Sequence, residues 1–123
     1  MITGVVNEQL EAVVSLEIRG PQGDARVINA VVDTGYNGYL SVPPRLVAEL
    51  GLPYSTTNDA TLADGRVVQF RIYYATVVWD GQALSLEVDE ADTISLLGMA
   101  LLEGCDLRIQ VRNGGPVTIA QRP

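Results

Sequence analysis

Histidine and lysine are both missing from this 123-residue chain. Without histidine there is no Ser–His or Cys–His nucleophilic pair and little basis for a zinc site, and without lysine there is no Schiff-base chemistry and no P-loop. Carboxylates are the main acid–base groups left: 15 Asp and Glu stand against 8 Arg, for a net charge of −7. That excess of negative charge removes the attraction to phosphate on which nucleic-acid and anionic-membrane binding depend, so neither is an expected partner. The single cysteine, Cys105, cannot form an internal disulfide and reads as a buried structural thiol. No apolar run approaches the length of a membrane span and no basic segment with a following apolar stretch opens the chain, so the expectation is a soluble, cytoplasmic protein. The acidic stretch Asp89-Glu90-Ala91-Asp92 lacks the glycine-bearing ligand pattern of an EF-hand and reads as a solvated loop. No metal and no organic cofactor are expected.

What is present is apolar and β-patterned. With 47% hydrophobic residues and a mean hydropathy of +0.18, the chain has material for one packed core, and its length suits a single domain over residues 1–123. Ala12, Val14, Leu16 and Ile18 alternate with more polar or smaller neighbours, the period of a half-buried strand, and Met1–Val6 is expected to pair with it across Asn7-Glu8-Gln9. After the turn Gly20–Asp24, the run Val27–Val32 reads as a more fully buried strand. Pro43-Pro44 opens a helical stretch in which Leu46, Val47 and Leu50 share a face before Gly51 and Pro53 stop it. Thr57–Ala63 and Val67–Trp79 form a hairpin across Asp64-Gly65, and Asp80-Gly81 leads into Gln82–Val88. Ile94–Leu97 is a further buried strand ending at Gly98, followed by a short apolar helix from Met99 to about Gly104. Leu107, Ile109 and Val111 then alternate as another strand, Asn113-Gly114-Gly115 turns, and Val117–Ile119 closes the set. Many short strands with one or two short helices predict an all-β, closed or partly closed barrel.

One triplet stands out against this background. Asp33-Thr34-Gly35 follows directly on the apolar run Ile28–Val32, so a carboxylate and a tight turn end a buried strand. A charge in that position needs partners or a chemical role. Gly35 permits a turn that another backbone can approach closely, and the Thr34 hydroxyl can both donate and accept hydrogen bonds that hold the loop. Read alone, Asp33 is equally the carboxylate of an ordinary turn, and Asp64-Gly65 an ordinary surface hairpin.

In combination these segments resemble the retropepsin-like aspartic proteases, the single-lobe family that includes retroviral enzymes and small bacterial and archaeal relatives. The resemblance rests on their order: a buried strand into Asp33-Thr34-Gly35, the hairpin Ala63-Asp64-Gly65-Arg66 where the family has its flap, and Leu96-Leu97-Gly98 leading into Met99–Leu102. It covers about Val13 to Val111, and Val32–Leu40 looks like the bacterial and archaeal branch in particular. It implies a closed acid-protease β-barrel, an aspartic endopeptidase with Asp33 as its catalytic acid, a loop shaped by Thr34 and Gly35, and site support from Leu96, Leu97 and Gly98. Peptide hydrolysis of this kind needs two carboxylates sharing a proton, and the chain has one such triplet, so the resemblance also implies a homodimer acting on a peptide or protein substrate. Thr34 would bond across that dimer, and the ends Met1–Val6 and Val117–Pro123 resemble segments that relatives interleave at the interface. Tyr36 departs from the small residue usual after the glycine, and is expected to narrow the cleft or contribute to a substrate subsite. The rival reading is a non-catalytic dimeric barrel that binds peptide or protein partners through the same cleft.

Overall fold

Period-two alternation is carried directly into the architecture. The computed structural model describes residues 1–123 and contains ten strands and two short helices. In chain order these are β1 (Ile2–Val6), β2 (Ala12–Arg19), β3 (Ala25–Val32), β4 (Ser41–Val42), α1 (Pro44–Leu50), β5 (Tyr54–Thr61), β6 (Val67–Trp79), β7 (Gln82–Glu90), β8 (Ser95–Leu97), α2 (Met99–Leu102), β9 (Cys105–Ile109) and β10 (Pro116–Gln121). The chain is therefore mostly β.

β2 organises the sheet. Its apolar positions Ala12, Val14, Leu16 and Ile18 are buried. One of its edges pairs with β3 over Val13–Arg19, while the other is shared between β1 near Ala12–Val14 and β6 near Glu17–Arg19, all antiparallel. From there the path runs β4-β7-β6-β2-β1-β10-β9, with β5 on β6 and β8 on β3. The core enclosed includes Ile18, Leu40, Val77, Trp79, Val88, Leu97 and Ile119. α1 lays Leu46, Val47 and Leu50 onto that core, with Pro43 and Pro44 at its start and Gly51 at its end, as the sequence predicts.

The expected closed barrel is not completed by strand pairing. β8 joins β3 and β4 joins β7, both in parallel, and between β8 and β4 there is a single isolated bridge, Leu40 to Leu97. At this seam the chain is the loop after β3, whose main-chain hydrogen bonds run to Leu97 and the start of α2 on one side and, from the Leu40 carbonyl, to the Asp89 N–H of β7 on the other.

β1 and β10 pair with each other inside the chain, Ile2 opposite Ile119 and Val5 opposite Pro116. Other expectations need correction. β3 is not a fully buried strand: Ala30 is its one buried residue, and Val27 is exposed. Asp89 and Glu90 belong to β7, not to an acidic loop, because they pair with Ser41 and Val42 of β4. Val111 lies beyond β9 and is exposed. Cys105 is half-buried and free, its side chain packed against the core.

Candidate active site

The Asp33 loop is held from both ends by backbone hydrogen bonds. Val32 pairs with Leu97 in the parallel β3–β8 ladder, and the Asp33 N–H continues that ladder by donating to the Leu97 carbonyl at 2.9 Å. The Asp33 Oδ1 then accepts from the Gly35 N–H at 2.9 Å, and the Asp33 carbonyl accepts from the Tyr36 N–H at 3.1 Å. Asp33 thus closes its own turn by side chain and main chain together, the behaviour that makes aspartate a turn residue. Its other oxygen accepts no hydrogen bond within the chain, and the residue is half-buried. Thr34 is exposed and its hydroxyl has no partner within the chain.

Leu96, Leu97 and Gly98 stand where support for this loop requires them. The first N–H groups of a helix lack partners inside the helix, and the N-cap of α2 is Gly98, which has no side chain to supply one. The loop carbonyls do so instead: Tyr36 accepts from the Met99 N–H at 2.8 Å and Gly38 from the Ala100 N–H at 3.1 Å, while Tyr39 accepts from the Gly98 N–H at 3.0 Å. This approach is possible only without a Cβ at 98, since one placed there would lie 2.1 Å from the Gly38 carbonyl oxygen and 2.7 Å from Tyr36 Cδ2. Leu97 is fully buried, and the Leu96 N–H donates to Ser41 Oγ at 2.9 Å.

Tyr36 borders a cavity beside the loop and is also tied into the fold. Its ring lies against Gly38 and Gly98, and its hydroxyl donates to Asp89 Oδ2 at 2.5 Å. Burial and the adjacent Asp89 carboxylate both raise its pKa above the ordinary phenol value, so it remains a donor throughout the working pH range. One face of it still meets a cavity of about 490 Å³ whose lining includes Asn37, Ala60, Phe70 and Leu96.

That cavity connects the loop to the β5–β6 hairpin, whose arms supply Ala60 and Phe70 within a few pairs of the turn. The tip does not line it. Thr61 opposite Val67 is the last pair of the hairpin, after which the Leu62 N–H donates to the Arg66 carbonyl at 2.7 Å and the Gly65 N–H to the Leu62 carbonyl at 2.9 Å. Gly65 has φ +87°, a left-handed conformation that glycine adopts without strain. Asp64 receives the Arg66 N–H at 3.0 Å and its guanidinium at 2.7 Å. Ala63 to Arg66 are all exposed, so this ion pair shapes the tip and adds little stability.

Two residues of the site escape a reading of the sequence. Ser41, buried between Leu40 and Val42, is a lone hydroxyl in an apolar run, and that isolation is the signal that it has a specific partner. Asp89 is masked by its acidic neighbours. No cluster of three or more His, Cys, Asp or Glu side chains is placed to hold a metal ion. A larger cavity, of about 720 Å³, lies against Val27–Asn29, the start of α1 and Asp92–Ser95, and includes none of the Asp33 loop.

No family model and no curated protein matches the chain in sequence. Solved structures do match it in fold. The EIAV protease, complexed with the inhibitor HBY-793, superposes with a TM-score of 0.58 over 79% of this chain and 89% of its own, at 16% identity. A retropepsin-like aspartic protease from Rickettsia conorii superposes with a TM-score of 0.59 over 99% of this chain and 91% of its own, at 18% identity. With Asp33-Thr34-Gly35 at the end of β3 and Leu96-Leu97-Gly98 beside it, the chain has the fold of the retropepsin-like aspartic proteases.

Proposed function

We propose that this protein is an aspartic endopeptidase that works as an isologous homodimer, with Asp33 of each subunit at the two-fold axis. The observation that carries the reading is the Asp33 loop: a half-buried carboxylate, held by β8 and α2, with one oxygen committed to Gly35 and the other uncommitted. A fold shared with aspartic proteases supports the same chemistry. In the dimer one Asp33 carries the shared proton and hydrogen-bonds the scissile carbonyl oxygen, while the other takes a proton from a water. The water oxygen bonds to the carbonyl carbon, and a proton passes to the amide nitrogen as the C–N bond breaks. No metal or cofactor enters. The exposed Thr34 hydroxyl, unpartnered within the chain, is available to the opposing loop. The hairpin tip Ala63–Arg66 acts as a flap, its backbone closing over an extended peptide by strand addition.

The test is cleavage of a proteome-derived peptide library from about pH 4 to 8, read by mass spectrometry, with Asp33→Asn protein alongside. New termini that vanish with the variant support the peptidase. Matched samples at every pH, with the dimer established, favour a peptide-binding module instead.

For the interface, the strand path suggests a place other than the chain ends. β9 is the last strand of the path, with β10 on one side and no strand on the other. The Gln110 N–H donates to the Pro116 carbonyl and the Arg122 N–H to the Gly104 carbonyl, which sets the phase of the ladder. The even-numbered residues of β9 face β10, and Cys105, Leu107 and Ile109 turn their backbone groups outward. Antiparallel pairing of two copies about Leu107 would place Asp106 opposite Arg108 of the partner subunit, twice by symmetry. Asp106 is otherwise only in a loose exposed pair with Arg122, at 3.6 Å. Asp106→Arg and Arg108→Asp are each expected to weaken the dimer roughly tenfold to a hundredfold, by replacing two attractions with two repulsions of up to ~1 kcal/mol each. Combining both changes restores the pairing. Sedimentation equilibrium of the four proteins checks this, and equal dissociation constants throughout would exclude the β9 edge as the interface.

A further inference from the structure

The peptidase reading leaves the contact between Tyr36 and Asp89 without a role, although it ties the loop to the far side of the site. Tyr36 follows the Asp-Thr-Gly triplet directly, and three separate constraints meet on it. Its N–H donates to the Asp33 carbonyl at 3.1 Å and its carbonyl accepts from Met99 at 2.8 Å. Its ring fills the space that side chains at Gly38 and Gly98 would occupy, with ideal Cβ positions there only 2.4 Å and 2.7 Å from its nearest atoms. Its hydroxyl reaches Asp89, 53 residues away in sequence, at 2.5 Å. Asp89 is itself fixed: it pairs with Ser41 in the β4–β7 ladder, and its N–H donates to the Leu40 carbonyl at 3.0 Å.

These contacts lie at the seam where strand pairing does not close the sheet. β8 and β3 stand on one side of it and β4 and β7 on the other, joined by the isolated Leu40–Leu97 bridge. The Asp33 loop hangs from the β3–β8 side. Backbone bonds to Leu97, Gly98, Met99 and Ala100 all tie it to that same side. The Tyr36 hydroxyl is the side-chain link from the loop to β7.

We infer that Tyr36 is a positioning residue for Asp33, a strut between the catalytic loop and β7 anchored on Asp89, and not primarily a wall of the substrate cleft. The inference rests on the peptidase reading for its kinetic consequence but not for its structural one. A carboxylate that must meet its symmetry mate at about 3 Å tolerates little play, and loss of a hydrogen bond to a charged acceptor loosens a loop more than loss of a neutral one. The phenol stays protonated, and so able to donate, over the whole pH range of such an enzyme.

The test uses the full-length protein with Tyr36→Phe, Asp89→Ala and Asp89→Asn. Phenylalanine keeps the ring in its slot, and asparagine keeps an oxygen that can accept from the phenol. Hydrogen exchange is measured at the Tyr36, Met99 and Ala100 amides, with β2 and β6 amides as the internal reference. Tyr36→Phe and Asp89→Ala are expected to speed exchange at the loop amides about tenfold or more while the reference amides stay unchanged, and Asp89→Asn to restore most of the protection. With a peptide substrate, the first two variants lower kcat about tenfold to a hundredfold at nearly constant KM and unchanged cleavage preference, and the Tyr36→Phe/Asp89→Ala double variant loses no more than either alone.

Unchanged exchange at the loop amides would overturn the inference. So would a shift in KM or cleavage preference at constant kcat, which would make Tyr36 a subsite wall. If the wild-type protein cleaves no peptide, the peptidase reading fails and the exchange comparison still decides whether Tyr36 holds the loop.

Discussion

Asp33→Asn protein is expected to fold and to dimerise as the wild type does, and to cleave none of the peptides that the wild type cleaves. The substitution is close to isosteric, and the asparagine carbonyl oxygen can accept from the Gly35 N–H where Asp33 Oδ1 does so at 2.9 Å. The turn keeps its closure, so stability should change by less than ~1 kcal/mol. What is lost is proton transfer. An amide neither takes a proton from water nor gives one to a carbonyl oxygen near neutral pH, and in a symmetric dimer both members of the pair are lost together. A single acid or base is worth ~10² to 10⁴ in rate, so loss of the pair should bring hydrolysis below detection. Two aspartates at the axis repel when both are ionised, whereas two asparagines do not, so the variant dimer should be at least as tight as wild type. Sedimentation and cleavage measured on one preparation check both statements. A variant that still cleaves would remove Asp33 from the chemistry, and one that binds peptides as well as an inactive wild type would favour the binding-module reading.

Gly98→Ala should be among the most destabilising single substitutions in the chain, although it adds only one methyl group. The added carbon would sit 2.1 Å from the Gly38 carbonyl oxygen and 2.9 Å from its carbon, both backbone atoms that cannot swing aside. Relief requires the loop and the start of α2 to separate, which lengthens the bonds that join Tyr36 to Met99, Gly38 to Ala100 and Tyr39 to Gly98. Overpacking of a closed backbone contact with partial loss of three hydrogen bonds costs about 3 kcal/mol or more. For a domain of this size that is a fall of roughly 10 °C or more in Tm. Gly65→Ala is the informative contrast. No atom lies within 4 Å of the added Cβ, and the cost is conformational only, from φ +87°, about 1 kcal/mol and confined to the hairpin tip. Thermal unfolding of the two variants beside wild type measures the difference. Equal losses would mean that the tight packing of α2 on the loop does not carry stability.

Local signals account well for the elements. The alternation of Ala12, Val14, Leu16 and Ile18 reappears as the buried face of β2, and the Pro43-Pro44 entry with the Gly51 stop reappears as α1. Asp64-Gly65 and Asp80-Gly81 each join two strands as favoured hairpin turns should. Where local reading failed, a partner distant in sequence was responsible. Asp89 and Glu90 read as loop by residue type, and become strand because β4 lies beside them. Tyr36 has its acceptor in β7 and fills a gap made by two glycines, and neither is evident from the triplet it follows.

The group proposed to react is one that the order of the residues already offers. A chain without histidine or lysine that ends the apolar run Ile28–Val32 in Asp33-Thr34-Gly35 has little other than a carboxylate with which to do acid–base chemistry. Strand periods, hairpin turns and the absence of a metal pattern are likewise properties of neighbouring residues, because they depend on spacings of two to four positions. The seam at Leu40–Leu97, the pairing of β1 with β10 inside the chain, the free edge of β9 and the Tyr36–Asp89 strut are different in kind. Each depends on which strand lies beside which, and that is settled by packing a shared core across long separations, where no single segment carries the information.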